Sequence, residues 1–307
     1  MTGGSALPPL LSTRLRRRLE RHIDDFQAGD GVRIANDVEM VGGRIAIGDG
    51  SVIRDGCTIR VSDRLVVGRK SVIGKGVVIQ GRDIALGREF YGLSRFEIGG
   101  GSCYERSSTL KIGYWFHCGR DAFINTARAV EIGDEVGVGA RSSLYTHGAY
   151  LNVLEGFPEQ WGDIRIGSNV WMPAVTVHPN VKIGSNVVIG AGSIVTKDIP
   201  SNCFALGIPC RVVSENCYPK PMDRSTARNR LLNILSTYGT DSVKSKANVT
   251  ENAMIVLRDT VFDPFGKTIR GSATSETELL RDRLRRHGIR FKVDVIGDKY
   301  EPWDTGD

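Results

Sequence analysis

The chain is short of aromatic side chains, of proline and of paired cysteines, and each shortage narrows what it can be. Phe, Trp and Tyr together make 7% of 307 residues, which suits a narrow interior filled by branched aliphatics. No proline stands between Pro9 and Pro158. Proline cannot donate to a strand ladder, so this long gap leaves room for continuously stacked strands. The six cysteines, Cys57, Cys103, Cys118, Cys203, Cys210 and Cys217, form no CxxC pair. They read as small buried apolar residues in a reducing compartment, not as a zinc site or a disulfide framework. No apolar run approaches the roughly 18 residues of a membrane span, and the first residues lack the apolar core of a secretory signal. The expected location is cytoplasmic, at most peripheral to a membrane. The net charge of +6 would suit a polyanionic partner, but a small anionic molecule already calls for some basic groups, and no nucleic acid is expected.

What the chain has in excess is glycine, 37 of 307 residues, against a usual share of about 7%. From Val181 to Val213 an aliphatic residue recurs at every sixth position, Ile183, Ile189 and Val195, with Gly184 and Gly190 following two of them. A period of six fits neither a helix nor a simple alternating strand. It fits short strands joined by tight corners, where glycine takes positive φ without penalty. Repeats of this kind stack into a solenoid. Further upstream an aliphatic pair followed by glycine recurs, as at Ile45/Ile47, Leu65/Val67, Ile84/Leu86, Leu110/Ile112, Val130/Ile132 and Ile164/Ile166. Shortened steps around Phe96/Ile98 predict one irregular coil near Tyr91–Arg95, and residues 148–163 predict an insertion carrying Tyr150, Phe157 and Trp161.

The ending Ile189-Gly190-Ala191-Gly192-Ser193-Ile194-Val195-Thr196-Lys197-Asp198-Ile199-Pro200, followed by Ala205-Leu206-Gly207-Ile208-Pro209-Cys210-Arg211, resembles the hexapeptide-repeat acetyltransferases. The nearest types are the galactoside, maltose and polysaccharide O-acetyltransferases. The resemblance covers residues 30–213. It implies a mainly β chain forming a left-handed parallel β-helix, a homotrimer, and acetyl-CoA as co-substrate, with no metal.

The chain then divides as follows. Residues 1–29 form a disordered start and a basic capping helix, Leu11 to Phe26, with its apolar stripe on Leu11, Leu15, Leu19, Ile23 and Phe26. Residues 30–213 form the β-helix acyltransferase domain. Residues 214–250 form a linker with a helix over Thr226–Leu235. Residues 251–307 form a small α/β appendage, with strands Ala253–Leu257 and Ile289–Val295. Its helix Ser275–His287 turns Leu279, Leu280 and Leu284 inward.

Acetyl transfer to a hydroxyl needs a base, an oxyanion donor and two aligned substrates. Histidine is the common base because it titrates near neutrality. Of five histidines, His117, His147 and His178 lie in the repeats. They are 30 and 31 positions apart, which gives no close pair for a zinc site of the γ-carbonic-anhydrase kind. His147 ends a hexad where the insertion begins, 24 positions before Trp171. The resemblance makes a histidine at that place the catalytic base. It also implies that Trp171, Ala174, Ala191, Thr196, Lys197 and Arg211 contact the cofactor, Lys197 and Arg211 near its phosphates. The segment Val170-Trp171-Met172-Pro173-Ala174 departs from the family pattern at Pro173 and Ala174. The acceptor-binding Asn and Asp of galactoside enzymes fall near Gly119 and Ala127, which argues against a simple galactoside. Asn125, Tyr150 and Trp161 are the acceptor candidates. The leading expectation is O-acetylation of a sugar or glycan. An amine, antibiotic or non-sugar alcohol acceptor is the nearer alternative, and a silent trimeric scaffold the more distant one.

Overall fold

A computed structural model describes residues 10–237 and 246–303. Two compact units divide the chain, Met1–Pro219 and Lys220–Asp307.

The first unit is a parallel β-solenoid of about nine turns. Each turn has three faces. The first face stacks short strands from Arg33–Ile34 through Tyr91–Gly92 and Val170–Met172 to Phe204–Gly207. The other two faces share one sheet, because Glu39–Ile47, Thr58–Val67 and Val78–Leu86 run unbroken around the corner between them. Beyond Leu86 they separate: Ile79, Ile98, Ile124, Leu144, Val177 and Val195 stack on the second face, and Leu86, Ile112, Ile132, Ile166 and Ile183 on the third. These residues are buried and form one continuous core. Full burial of each such side chain contributes about 1.5–3 kcal/mol.

The glycines after the aliphatics work differently from expectation. Neither Gly184 nor Gly190 has positive φ. A Cβ at Gly184 would sit 2.5 Å from the Ser201 backbone nitrogen, and one at Gly190 would sit 2.4 Å from Leu206 Cδ1. Gly184 is required by the close approach of the Ser201 backbone in the next coil, whereas at Gly190 only the exposed Leu206 side chain would have to shift. The left-handed residues come two places later, at Asn186 and Gly192. The corner from the third face to the first repeats this at Trp115, Glu135, Asn169, Asn186 and Asn202. Asparagine tolerates that region better than most side chains.

Aromatic rings are not excluded from the interior. Phe90 and Phe116 stack with centroids 5.3 Å apart, and Phe96 lies 5.7 Å from Phe90. Space for them comes from Gly92, where a Cβ would fall 2.2 Å from Phe96 Cε1. The irregular coil therefore does not lie at Tyr91–Arg95; Tyr91–Gly92 is an ordinary rung paired with Val72–Ile73 and His117–Cys118. The extra residues leave later, between Glu97–Gly99 and Thr109–Ile112.

At the N-terminus the helix is shorter than expected. α1 spans Thr13–Leu19, capped by Ser12, and buries Leu15 and Leu19. Ile23 and Phe26 belong instead to the strand Ile23–Ala28, which pairs with Glu39–Ile47 and extends the solenoid below residue 30. Arg18 ties the helix down by donating to the carbonyls of Asn36 and Val38 at 2.7 and 3.0 Å. The predicted disordered start lies outside the described residues except for Leu10, which bridges to Arg33. All six cysteines are free and buried.

The second unit has its own core. An antiparallel sheet runs Ala247–Val249, Ile255–Leu257, Thr260–Asp263, Thr268–Arg270, and a hairpin pairs Val293–Ile296 with Lys299–Pro302. α2 (Arg224–Ser236) is part of this unit and no linker, since Leu231, Ile234 and Leu235 join Phe262, Phe291 and Leu280 in one cluster. α3 spans Ser275–Arg286 and buries Leu280 and Leu284, whereas Leu279 is exposed. The first predicted strand is shortened to Ile255–Leu257, and the second is shifted to Val293–Ile296.

Candidate functional site

Two excursions leave the solenoid from the same corner, the one between the second and third faces. The first occupies 100–108 and the second 145–163, and the intervening coil turns that corner tightly at 126–129. His147 stands at the root of the second excursion, half-buried. Its strand, His147–Gly148, pairs antiparallel with Gln160–Trp161, which brings Trp161 back opposite His147. The two rings stack with centroids 4.8 Å apart and an interplanar angle of 15°. The insertion is thus a hairpin folded onto the histidine.

Asn125 fixes that histidine. Its Oδ1 lies 2.8 Å from His147 Nδ1. The amide orientation follows from its other partners: Nδ2 donates to the Gly99 carbonyl at 2.9 Å, while Oδ1 accepts from the Thr146 N–H at 3.3 Å and from the Thr146 hydroxyl. A carbonyl oxygen can only accept and a backbone N–H can only donate, so Oδ1 faces the ring. Nδ1 must then carry the proton, and Nε2 is left with a lone pair. Asn125 is 1% exposed with both ends of its amide engaged, so it orients the histidine and is not open to an acceptor.

Arg128, on the tight corner, joins the two excursions. Its Nη1 donates to Glu105 Oε2 at 3.1 Å and to Ser107 Oγ at 3.2 Å, and its Cζ lies 4.3 Å from the Trp161 ring centroid. Trp161 therefore packs on His147 and Arg128. Tyr150 is 98% exposed further out on the hairpin. Neither Arg128 nor Thr146 was identified from sequence. Their partners lie one coil away, and hexad spacing alone does not give the register at a corner that changes length.

The remaining candidates are spread along the upper coils. Tyr145, His178 and Thr196 follow one another at the corner that carries His147, as the register Leu144–Val177–Val195 requires. Thr196 and exposed Lys197 lie two coils from Tyr145, roughly 10 Å along the axis at the usual strand spacing. Trp171 is 44% exposed on the first face, packed over Gly137. Ala174 and Ala191 sit at the corner after that face, where the Gly192 N–H donates to the Ala174 carbonyl at 3.0 Å. Ala174 has φ 48. Arg211 is exposed on the closing hairpin, its Nη1 donating to the Cys210 carbonyl at 2.9 Å. A groove of about 810 Å³ along the third face, lined by Lys111, Asp134, Arg165, Lys182 and Asp198, includes none of these residues. Among the described residues no three His, Cys, Asp or Glu side chains gather as a metal site, and no helix is long and apolar enough to cross a membrane.

No family model matches the chain. Over 120 residues it is 39% identical to the galactoside O-acetyltransferase of Escherichia coli (strain K12), which covers 36% of this chain and 57% of that protein. The chain thus spans little more than half the length of this curated relative. A maltose O-acetyltransferase structure from Clostridium difficile 630 is 31% identical, over 40% of this chain and 67% of that one, with a TM-score of 0.28. A galactoside acetyltransferase in complex with coenzyme A is 32% identical, over 46% of this chain and 62% of that one, with a TM-score of 0.29.

Proposed function

This chain belongs to the hexapeptide-repeat acetyltransferase family, and from that premise we propose that it moves the acetyl group of acetyl-CoA to a hydroxyl of a sugar or glycan, with His147 as general base. The observation that carries the reading is the Asn125–His147 hydrogen bond of 2.8 Å on Nδ1. It presets the tautomer in which Nε2 can take a proton. The named activities of the relatives support the acetyl donor and the sugar class.

His147 Nε2 removes the proton of the acceptor hydroxyl as its oxygen attacks the thioester carbonyl. The C–S bond breaks, and the proton on Nε2 passes to the departing thiolate, which restores neutral imidazole. Asn125 Oδ1 accepts the hydrogen bond from Nδ1–H throughout and so stabilises the transient imidazolium. Trp161 stacks on the ring and keeps it from turning. Lys197 and Arg211 are exposed cations suited to the cofactor's phosphates; Thr196, Ala191, Ala174 and Trp171 border the same upper coils. The reading includes a homotrimer with the cofactor between neighbouring solenoids. A monomeric mass by light scattering for the active protein, in place of about three times 33.6 kDa, would remove that part.

The test is release of free thiol from acetyl-CoA across a panel of sugars, nucleotide sugars and glycans. Acceptor-dependent thiol release, with a matching acetylated product by mass spectrometry, is expected. Transfer only to amines would replace the acceptor class. No turnover with any nucleophile would leave the scaffold alternative.

A further inference from the structure

Gly100 and Gly101 follow the strand Glu97–Gly99, and Gly101 passes beside the free edge of His147. A Cβ at position 101 would lie 3.6 Å from His147 Nε2 and 3.7 Å from Cε1. Both are ordinary van der Waals separations, and Gly101 is not at positive φ. Nothing in the fold therefore demands glycine there. The preceding glycine differs. Gly100 has φ 87, and a Cβ on it would come 2.8 Å from Asn125 Nδ2 and 2.9 Å from the Phe123 ring. Position 100 needs glycine for the backbone, while position 101 borders only the histidine.

A hydroxyl that gives its proton to Nε2 must bring its oxygen to about 2.7–3.0 Å. The acceptor's own carbon and substituents follow directly behind. A methyl group at 101 would stand over the same ring edge and take part of that approach. The surrounding walls are tied to one another. Trp161 covers the imidazole by stacking, and Arg128 fastens Trp161 to Glu105 and Ser107 of the excursion that bears Gly101.

We propose that Gly101 is a specificity-determining residue of the acceptor slot: its bare backbone supplies the clearance through which a hydroxyl on a bulky, ring-shaped acceptor reaches Nε2. This rests on His147 being the base. Gly101→Ala keeps the slot open to water and closes it progressively to larger alcohols.

The test uses the full chain and two readouts. In the first, diethyl pyrocarbonate modifies histidines, and each site is followed by peptide mass mapping after the variant's thermal melt has been matched to wild type. Gly101→Ala is expected to slow modification of His147 by about tenfold, with His178 reacting at the wild-type rate. In the second, thiol release from acetyl-CoA is measured with water, glycerol or maltose as acceptor, and the fractional loss should grow in that order. Wild-type modification of His147 in the folded variant overturns the proposal, as does an equal loss with all three acceptors. If the wild type acetylates neither glycerol nor maltose, the sugar-acceptor reading fails for these probes, and the modification rate alone decides whether Gly101 gives the clearance.

Discussion

Two corners of the same solenoid are built on opposite plans. The corner from the third face to the first is a ladder. The Asp134 N–H donates to Ser168 Oγ, the Ser168 N–H to Ser185 Oγ and the Ser185 N–H to Ser201 Oγ, each at 3.0 Å. Beside it Asn169 donates to Asn186 at 3.1 Å, and Asn186 to Asn202 at 2.8 Å. The same contact is made from coil to coil, so the backbone path hardly changes. Above Leu86 the corner from the second face to the third has no such repeat. It is tight at 126–129 and swells at 100–108 and 145–163. Its polar side chains gather in a single cluster of Asn125, Thr146, His147, Arg128 and Trp161, whose contacts are not copied from coil to coil. Repetition fixes the frame, and interruption places the unrepeated groups that chemistry needs.

That contrast can be broken from either side. The largest effect short of removing His147 itself should come from Asn125→Ala. Turnover should fall by about tenfold or more, a share of what general-base catalysis is worth. The loss also leaves the Thr146 N–H without its partner and removes one of the two donors to the Gly99 carbonyl, at about 1–3 kcal/mol of stability. Thermal melts and thiol-release kinetics on one preparation measure both. A variant that melts lower yet turns over normally would reduce Asn125 to a structural role.

Lys197→Ala and Arg211→Ala come next. Loss of a charge-assisted bond to a phosphate would weaken CoA by about 1.5–3 kcal/mol. Calorimetric titration should show a smaller loss for dephospho-CoA if either cation meets the 3′-phosphate. Equal losses for both ligands would move the two residues away from that group.

The smallest effect belongs to the ladder. Asn186→Ala puts a Cβ-bearing residue without a local hydrogen bond at φ 58 and cuts two side-chain bonds. A decrease in stability of about 1–2 kcal/mol is expected from chemical denaturation, with no change in the KM for acetyl-CoA. A drop in activity larger than the drop in stability explains would blur the distinction between the corners.

The frame was legible in the sequence because each coil repeats one physical requirement. Ile183, Ile189 and Val195 announced three faces six residues apart, and all three are buried. The reason for Gly184 was not legible, since a clash with the backbone of the next coil is invisible until the coils are stacked. Residues 100–108 were displaced to Tyr91–Arg95 because Gly92 holds an inward position that usually carries an aliphatic, with Phe90, Phe96 and Phe116 filling the space. α2 looked like part of a linker for want of a clear apolar stripe, yet Leu231 and Ile234 are buried. His147 was legible from its place at the break in the hexads. Its partner was not. Asn125 stood out as a polar residue on the right coil, but only the register that sets Ile124 beside Leu144 brings it to Nδ1. Trp161 looked like a surface for a sugar, and the hairpin return that lays it on His147 has no signature in spacing.

The central claim is that one corner carries the chemistry and the other carries the frame. Its most direct test is a single thiol-release assay on wild type, His147→Ala and Asn186→Ala, with acetyl-CoA and one acceptor in common, all three confirmed folded. His147→Ala should lose about 10²–10⁴-fold in kcat, while Asn186→Ala stays within about twofold of wild type. Comparable losses in the two variants, or near-normal turnover in folded His147→Ala, would contradict the account.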